Sequence, residues 1–232
     1  MLEIQGLEVR RGTERQSHLF TLPSLLLKAG EVIAITGESG CGKSTLLEAI
    51  GLLLTPERLG KYWLGSEGQD IGALLKADDQ PALAAVRSRQ IGFVLQSGGL
   101  LPFLKVRDNI ALPRLLLGMQ AHSGLVDRAV SALRLEGLLD KMPHKLSIGE
   151  RQRVACVRAI AHEPRLLLAD EPTAALDPER ARRLFQLLLE LVSELRISAL
   201  IVSHDWLLVK EFGLARLDAV SLAGGTRFEA LE

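Results

Sequence analysis

Two cysteines, Cys41 and Cys156, are the sequence's whole supply, and they stand far apart with no CxxC neighbour. That excludes a disulfide framework, gives no zinc-site spacing and fits a reducing cytosol. An excess of either charge is also missing: 28 Lys and Arg balance 28 Asp and Glu. Nucleic acid and anionic membranes select a clustered basic surplus, so no nucleic-acid partner is expected. No apolar run approaches the roughly 18 residues that span a bilayer. The first residues, MLEIQGLEVRRG, lack the apolar core and small-residue cleavage site of a secretory signal. The chain itself is not expected to cross a membrane. Internal repeats, low-complexity tracts and flexible linkers are absent too. What remains is 232 residues, 47% of them hydrophobic, enough for a sizeable core in a single domain spanning 1–232.

Short apolar runs at 32–36, 91–95, 166–169 and 199–202 predict strands buried on both faces of a parallel sheet. Between them lies helical periodicity. Its clearest case is Leu184, Leu187, Leu188, Leu191, Val192 and Leu195, a stripe at i, i+3, i+4, i+7, i+8 and i+11 that predicts core packing. Strands separated by helices predict βαβ crossovers and an α/β fold with a mostly parallel sheet. Residues 97–164 behave differently. They hold no convincing strand, carry Pro102, Pro113 and Pro143, and include a helical stretch at 125–139. They read as a helical insertion into a core formed by 1–96 and 165–232.

The sequence GESGCGKST at 37–45 fits G-x-x-x-x-G-K-[ST] directly after a predicted strand and before a helix. Gly37, Gly40 and Gly42 permit a tight loop whose backbone N–H groups face phosphate oxygens, while the following helix adds the positive end of its dipole. A glycine-rich surface turn would lack these flanks. Glu38, Ser39, Cys41 and Thr45 complete the loop, with Lys43 able to reach the β- and γ-phosphates and Ser44 able to ligate Mg²⁺. Cys41 is read as a small side chain tolerated there rather than a redox centre.

In RLLLADEPT an apolar strand ends in two carboxylates, Asp170 and Glu171. Successive strand side chains point to opposite sides, so the pair is expected to divide its work. Asp170 suits a Mg²⁺ contact, and Glu171 suits polarising an attacking water. Gln96 follows one strand and His204 another, so four strands aim polar groups at one sheet edge, where open parallel sheets bind ligands.

This order of motifs resembles the ATP-binding cassette (ABC) ATPases, the nucleotide-binding subunits of ABC transporters. The resemblance covers essentially the whole chain: Walker A at 37–45, the Q-loop at Gln96, the signature LSIGE at 146–150, Walker B at 166–170 followed by Glu171, the D-loop AALD at 174–177, and the switch histidine His204. It implies a P-loop NTPase (RecA-like) core with a mostly parallel sheet, an N-terminal antiparallel β region and an inserted helical subdomain. It implies too that two copies of the chain sandwich two ATP molecules, each between Walker A of one copy and Ser147 and Gly149 of the other. Glu171 would be the general base, His204 a γ-phosphate contact and Gln96 a neighbour of Mg²⁺ and the attacking water, with Asp177 at the dimer contact. A separately encoded membrane permease would dock on the helical insertion, placing the chain on the cytoplasmic face of the cell membrane.

Two departures stand out. ABC ATPases place an aromatic residue near the start of the chain to stack on adenine, and this sequence has Arg11, with His18 and Phe20 as rivals. The common signature LSGGQ reads LSIGE, with Ile148 as the unusual residue. Ser147 and Glu150 also fit a helix-capping box. The stretches DIGALL, RSRQIGFVLQ and LLPFLKVRDNIALPRLLLG look like the branch serving lipoprotein release, macrolide and peptide efflux, and cell division. A soluble ABC ATPase of DNA repair or translation is the alternative, but its long coiled coil or second cassette is missing.

Overall fold

The four apolar runs become β3 (Val32–Thr36), β6 (Ile91–Val94), β7 (Leu166–Asp170) and β8 (Ser198–Val202), parallel neighbours in the order β3-β8-β7-β6. Successive side chains of a strand face opposite sides of the sheet, and here each side meets its own apolar cluster. Leu167, Ala169, Ala199 and Ile201 join one, and Leu166, Leu168, Leu200 and Val202 the other. Both faces are covered, so these strands show no polar alternation.

The computed structural model describes residues 1–13, 16–65, 69–174 and 176–230. Its ten strands form one sheet, ordered β5-β4-β1-β2-β10-β9-β3-β8-β7-β6. β1 (Leu2–Thr13) pairs antiparallel with β2 (Gln16–Leu27) and with β4 (Lys61–Leu64), and β5 (Gln69–Asp70) closes that edge. This is the antiparallel N-terminal region expected above. β9 (Ala215–Leu222) and β10 (Gly225–Ala230) join it to the parallel strands, β9 running parallel to β3 and β10 parallel to β2.

Helix α1 (Lys43–Ile50) follows β3; α2 (Ile71–Lys76) and α3 (Gln80–Gln90) precede β6. Between β6 and β7 the described residues hold no strand, only α4 (Val106–Leu116), α5 (Gly124–Ala132), two short 3₁₀ turns and α6 (Ile148–Ile160). The helix expected over 125–139 is shorter than its periodicity. Arg134 adopts a left-handed φ of 52°, which ends the helix, yet Leu133, Leu135 and Leu138 stay buried beyond it. The apolar spacing therefore reports burial across a turn as well as along a helix.

Helix α7 (Pro178–Glu194) buries Leu184, Leu188, Leu191 and Val192, with Leu187 and Leu195 packed beside them, as the stripe predicts. Helix α8 (Trp206–Glu211) begins at Asp205, whose side chain accepts from the Leu208 N–H. The register Ile35↔Val202↔Asp170 sets the carboxyl ends of β3, β8 and β7 level, with β6 beside them. Everything that follows β3, β6, β7 and β8 therefore emerges at one edge.

Candidate active site

At the end of β3 the chain turns through Gly37, Gly40 and Gly42 into α1. Gly42, the helix N-cap, has φ 95°, and a Cβ there would overlap the Phe20 ring. Only glycine fits, on conformation and on space. No side chain caps α1, so its first-turn N–H groups remain available to an anion. The ammonium of Lys43, buried, donates to the Gly37 and Glu38 carbonyls at 2.9 and 2.6 Å, tying the two ends of the loop together. Glu38, Ser39 and Ser44 face solvent, Thr45 is buried, and the buried Cys41 thiol lies 3.7 Å from the Lys43 ammonium.

β7 ends at Asp170, and Glu171 is not on the strand. Its φ is 48°, the left-handed region, with its N–H donated to the Val202 carbonyl at 3.1 Å. The two carboxylates do separate, but a strained turn separates them rather than strand alternation. Glu171 Oε1 lies 2.6 Å from His204 Nε2, and Oε2 accepts from Gln96 Nε2 at 3.2 Å. Residues that follow two strands, β6 and β8, thus grip the carboxylate that follows a third, β7. His204 is held in place by its neighbours: the Ser203 N–H bonds Ile35 O, and the Ser203 hydroxyl accepts from the Asp205 N–H. A cavity of about 410 Å³ opens beside Glu171 and His204 and runs along Thr173, Leu176 and Trp206.

Asp170 Oδ1 is buried without a hydrogen-bond partner among the described residues. An acceptor left so costs about 1–3 kcal/mol, and a bound cation or its water satisfies it. The donor set of one carboxylate, the Ser44 hydroxyl and the Gln96 amide oxygen suits a hard divalent cation such as Mg²⁺.

The signature stretch is the capped helix its sequence predicts. Ser147 Oγ accepts from the Glu150 N–H at 3.2 Å, and the Glu150 carboxylate accepts from the Ser147 N–H at 2.6 Å. That second bond holds the Glu150 carboxyl below the usual carboxylate range. Ile148 points outward, 54% exposed. Ser147 and Gly149 sit at the start of α6 and Asp177 at the start of α7, elements separate from the loop at 37–45. Ala175 of the AALD stretch lies outside the described residues. Asp177 is the N-cap of α7, accepting from the Arg180 N–H at 3.1 Å.

Phe20 is only 7% exposed, wedged beneath Gly42. That removes it as a stacking platform: its ring supports the loop from below. Arg11 and His18 are cross-strand partners, hence on one face of the sheet. The Arg11 guanidinium donates to Glu48 Oε2 at 2.7 Å and to Thr45 Oγ1 at 3.2 Å, both on α1. His18 bonds Thr226 Oγ1 at 2.9 Å. Glu48 is the residue that sequence reasoning missed. No local pattern marks it, because its partner is 37 residues away and the pairing exists only once β1 lies over α1.

Comparison with known proteins agrees with this geometry. The family described as "ABC transporter" matches residues 21–174. The lipoprotein-releasing system ATP-binding protein LolD of Ruegeria sp. (strain TM1040) is 41% identical over 94% of this chain and 93% of its own length. The methionine import ATP-binding protein MetN of Cupriavidus metallidurans is 38% identical over 91% of this chain, which spans only 60% of that protein. Among solved structures, the dimeric post-hydrolysis state of the ATP-binding cassette MJ0796 bound to ADP and Pi superimposes with a TM-score of 0.82 at 31% identity, covering 100% of this chain and 99% of that one.

Proposed function

The chain belongs to the ABC transporter family and is an ATPase of its ATP-binding kind; from that premise we propose that it works as a homodimer driving a separately encoded membrane permease. The observation that carries the reading is the Glu171 carboxylate gripped by Gln96 and His204 at the sheet edge where the 37–45 loop emerges. One phosphate-binding half lies on that loop and the other, Ser147 and Gly149, lies elsewhere on the same chain. Two copies arranged head to tail complete two sites. The dimeric state of the MJ0796 cassette supports this arrangement.

In this reading the N–H groups of residues 37–45 surround the triphosphate, and Lys43 leaves the Gly37 and Glu38 carbonyls to meet its terminal phosphates. Ser44, Gln96 and Asp170 would hold Mg²⁺, which when bound neutralises charge on phosphate oxygens. Glu171 accepts the proton of the attacking water. His204, beside it, donates toward the γ-phosphate, and Gln96 positions Glu171. Asp177 caps α7 at the contact between copies. Residues 1–96 and 165–232 serve as the catalytic core, and 97–164 as a helical subdomain that docks the permease at the cytoplasmic face of the membrane. Phe103, Leu115 and Leu116 support that docking surface, Leu116 being 75% exposed. No helix of the described residues is long and apolar enough to cross a membrane. Lipoprotein release is the branch favoured in this reading, on the stretches DIGALL, RSRQIGFVLQ and LLPFLKVRDNIALPRLLLG together with the likeness to LolD proteins.

The test is steady-state hydrolysis by the purified chain with and without Mg²⁺, together with identification of the membrane protein that co-purifies from native membranes. Mg²⁺-dependent turnover that rises cooperatively with ATP is expected. Non-cooperative turnover by a monomer would refute the shared site.

Arg11, fixed by Glu48, is the adenine platform in this reading, since a guanidinium plane stacks on aromatic rings. Stacking of this kind contributes about 1 kcal/mol or somewhat more. Arg11→Ala is therefore expected to weaken ATP binding about fivefold to tenfold in a fluorescence titration, and Glu48→Ala to weaken it by less. Unchanged affinity in Arg11→Ala with a loss in His18→Ala would move the platform to His18.

A further inference from the structure

Asp218, on β9, raises a question that the reading above does not answer. β9 runs parallel to β3 with Asp218 paired to Thr36, so its carboxylate sits at the sheet edge where the 37–45 loop begins. A free carboxylate there would repel a triphosphate. This one is engaged at both oxygens: the Thr36 hydroxyl donates to Oδ1, and the Arg216 guanidinium donates to Oδ2 at 3.1 Å. Thr36 is the last residue before Gly37, whose carbonyl accepts from Lys43 Nζ. The next residue of β9 touches the same place. A Cβ at Gly37 would stand 2.7 Å from the Ala219 methyl, and Gly37 has φ 148°. Two consecutive residues of β9 therefore bracket the start of the loop, Ala219 by contact and Asp218 through the Thr36 hydroxyl.

We propose that Asp218 is a positioning residue for nucleotide binding, acting through Thr36 to fix the origin of the phosphate loop and, with it, the Gly37 carbonyl on which Lys43 rests. Arg216 orients the carboxylate and offsets its charge against the triphosphate. The inference rests on the reading of residues 37–45 as the ATP phosphate site. It assigns strand β9 a part in ATP affinity and none in the chemical step, because Asp218 reaches neither Glu171 nor His204 by hydrogen bond.

The test is steady-state hydrolysis by the full chain carrying Asp218→Ala, Asp218→Asn, Thr36→Val, or Asp218→Ala with Thr36→Val. Losing one such hydrogen bond corresponds to about a fivefold change. The half-saturating ATP concentration should rise about fivefold in Asp218→Ala and in Thr36→Val, with kcat within about twofold of the parent. The double variant should be no worse than either single one, because both remove the same bond. Asp218→Asn, which keeps an acceptor for the Thr36 hydroxyl, should restore most of the affinity. Thr36→Val, nearly isosteric, carries the test if Asp218→Ala fails to fold. Additive losses, or a fall in kcat at unchanged half-saturation, would overturn the proposal in favour of a merely structural role. Lys43→Ala, measured for ATP binding alongside, separates the two layers. If it binds ATP normally, the phosphate-loop reading falls; if it loses ATP while Asp218→Ala does not, only the role of Asp218 falls.

Discussion

Glu171→Gln is expected to slow ATP turnover by about a thousandfold while leaving ATP binding within about twofold of the parent, the loss a displaced general base produces. The amide has the size of the carboxylate, and glutamine tolerates the left-handed backbone at 171 no worse than glutamate, so no new strain arises. What changes is chemical. Glu171 now accepts from Gln96 and faces His204 at 2.6 Å; an amide has one acceptor end and one donor end, so it satisfies one of these neighbours and cannot take a proton from water. The ATP-bound dimer, no longer resolved by hydrolysis, should accumulate. Single-turnover hydrolysis gives the rate, and size-exclusion chromatography in ATP gives the dimer. Turnover by Glu171→Gln at the parent rate would remove Glu171 from the role of base.

The parallel strands were legible because each apolar run feeds two cores at once, leaving a continuous hydrophobic signal. The 37–45 loop was legible because its residues and both flanks occur in one contiguous stretch. The stripe of α7 and the capping box of α6 were local patterns of the same kind. The rest depended on tertiary register. Periodicity carried the helix at 125–139 past its true end, because Leu135 and Leu138 bury themselves from a turn as well as they would from a helix. Strand alternation separated Asp170 from Glu171 for the wrong reason, since φ at 171 is set by the turn after the strand. Phe20 read as a candidate platform, but proximity to the loop in space means lying beneath it. Arg11 with Glu48, and Thr36 with Asp218 across 182 residues, are pairs no local pattern announces. Candidate residues for the chemistry could be listed from the sequence; which partners hold them could not.

Gly149→Asp is expected to reduce hydrolysis at least a hundredfold while leaving the fold intact or slightly stabilised. The capping box satisfies the N–H groups of Ser147 and Glu150, so those of Ile148 and Gly149 lack a helical partner. In the proposed dimer these donors meet the phosphate bound by the other copy. A carboxylate at 149 competes for them and repels the triphosphate, and the same negative charge in the first turn of α6 favours the helix by roughly 0.3–1 kcal/mol. Sterically the substitution is cheap: the new Cβ would stand 2.7 Å from Leu176 Cδ2, the tip of a flexible side chain that can swing aside. Melting temperature and activity should therefore move in opposite directions, which separates loss of the site from unfolding. Gly149→Ala should fall between parent and Gly149→Asp. Ile148→Gly, which removes an outward-pointing side chain, should stay within about threefold of the parent rate, since a glycine near a helix start costs at most about 1 kcal/mol of stability. If Ile148→Gly proved the more damaging of the two, the phosphate contact would have to lie at 148, and the exposed isoleucine would need a partner-facing role instead.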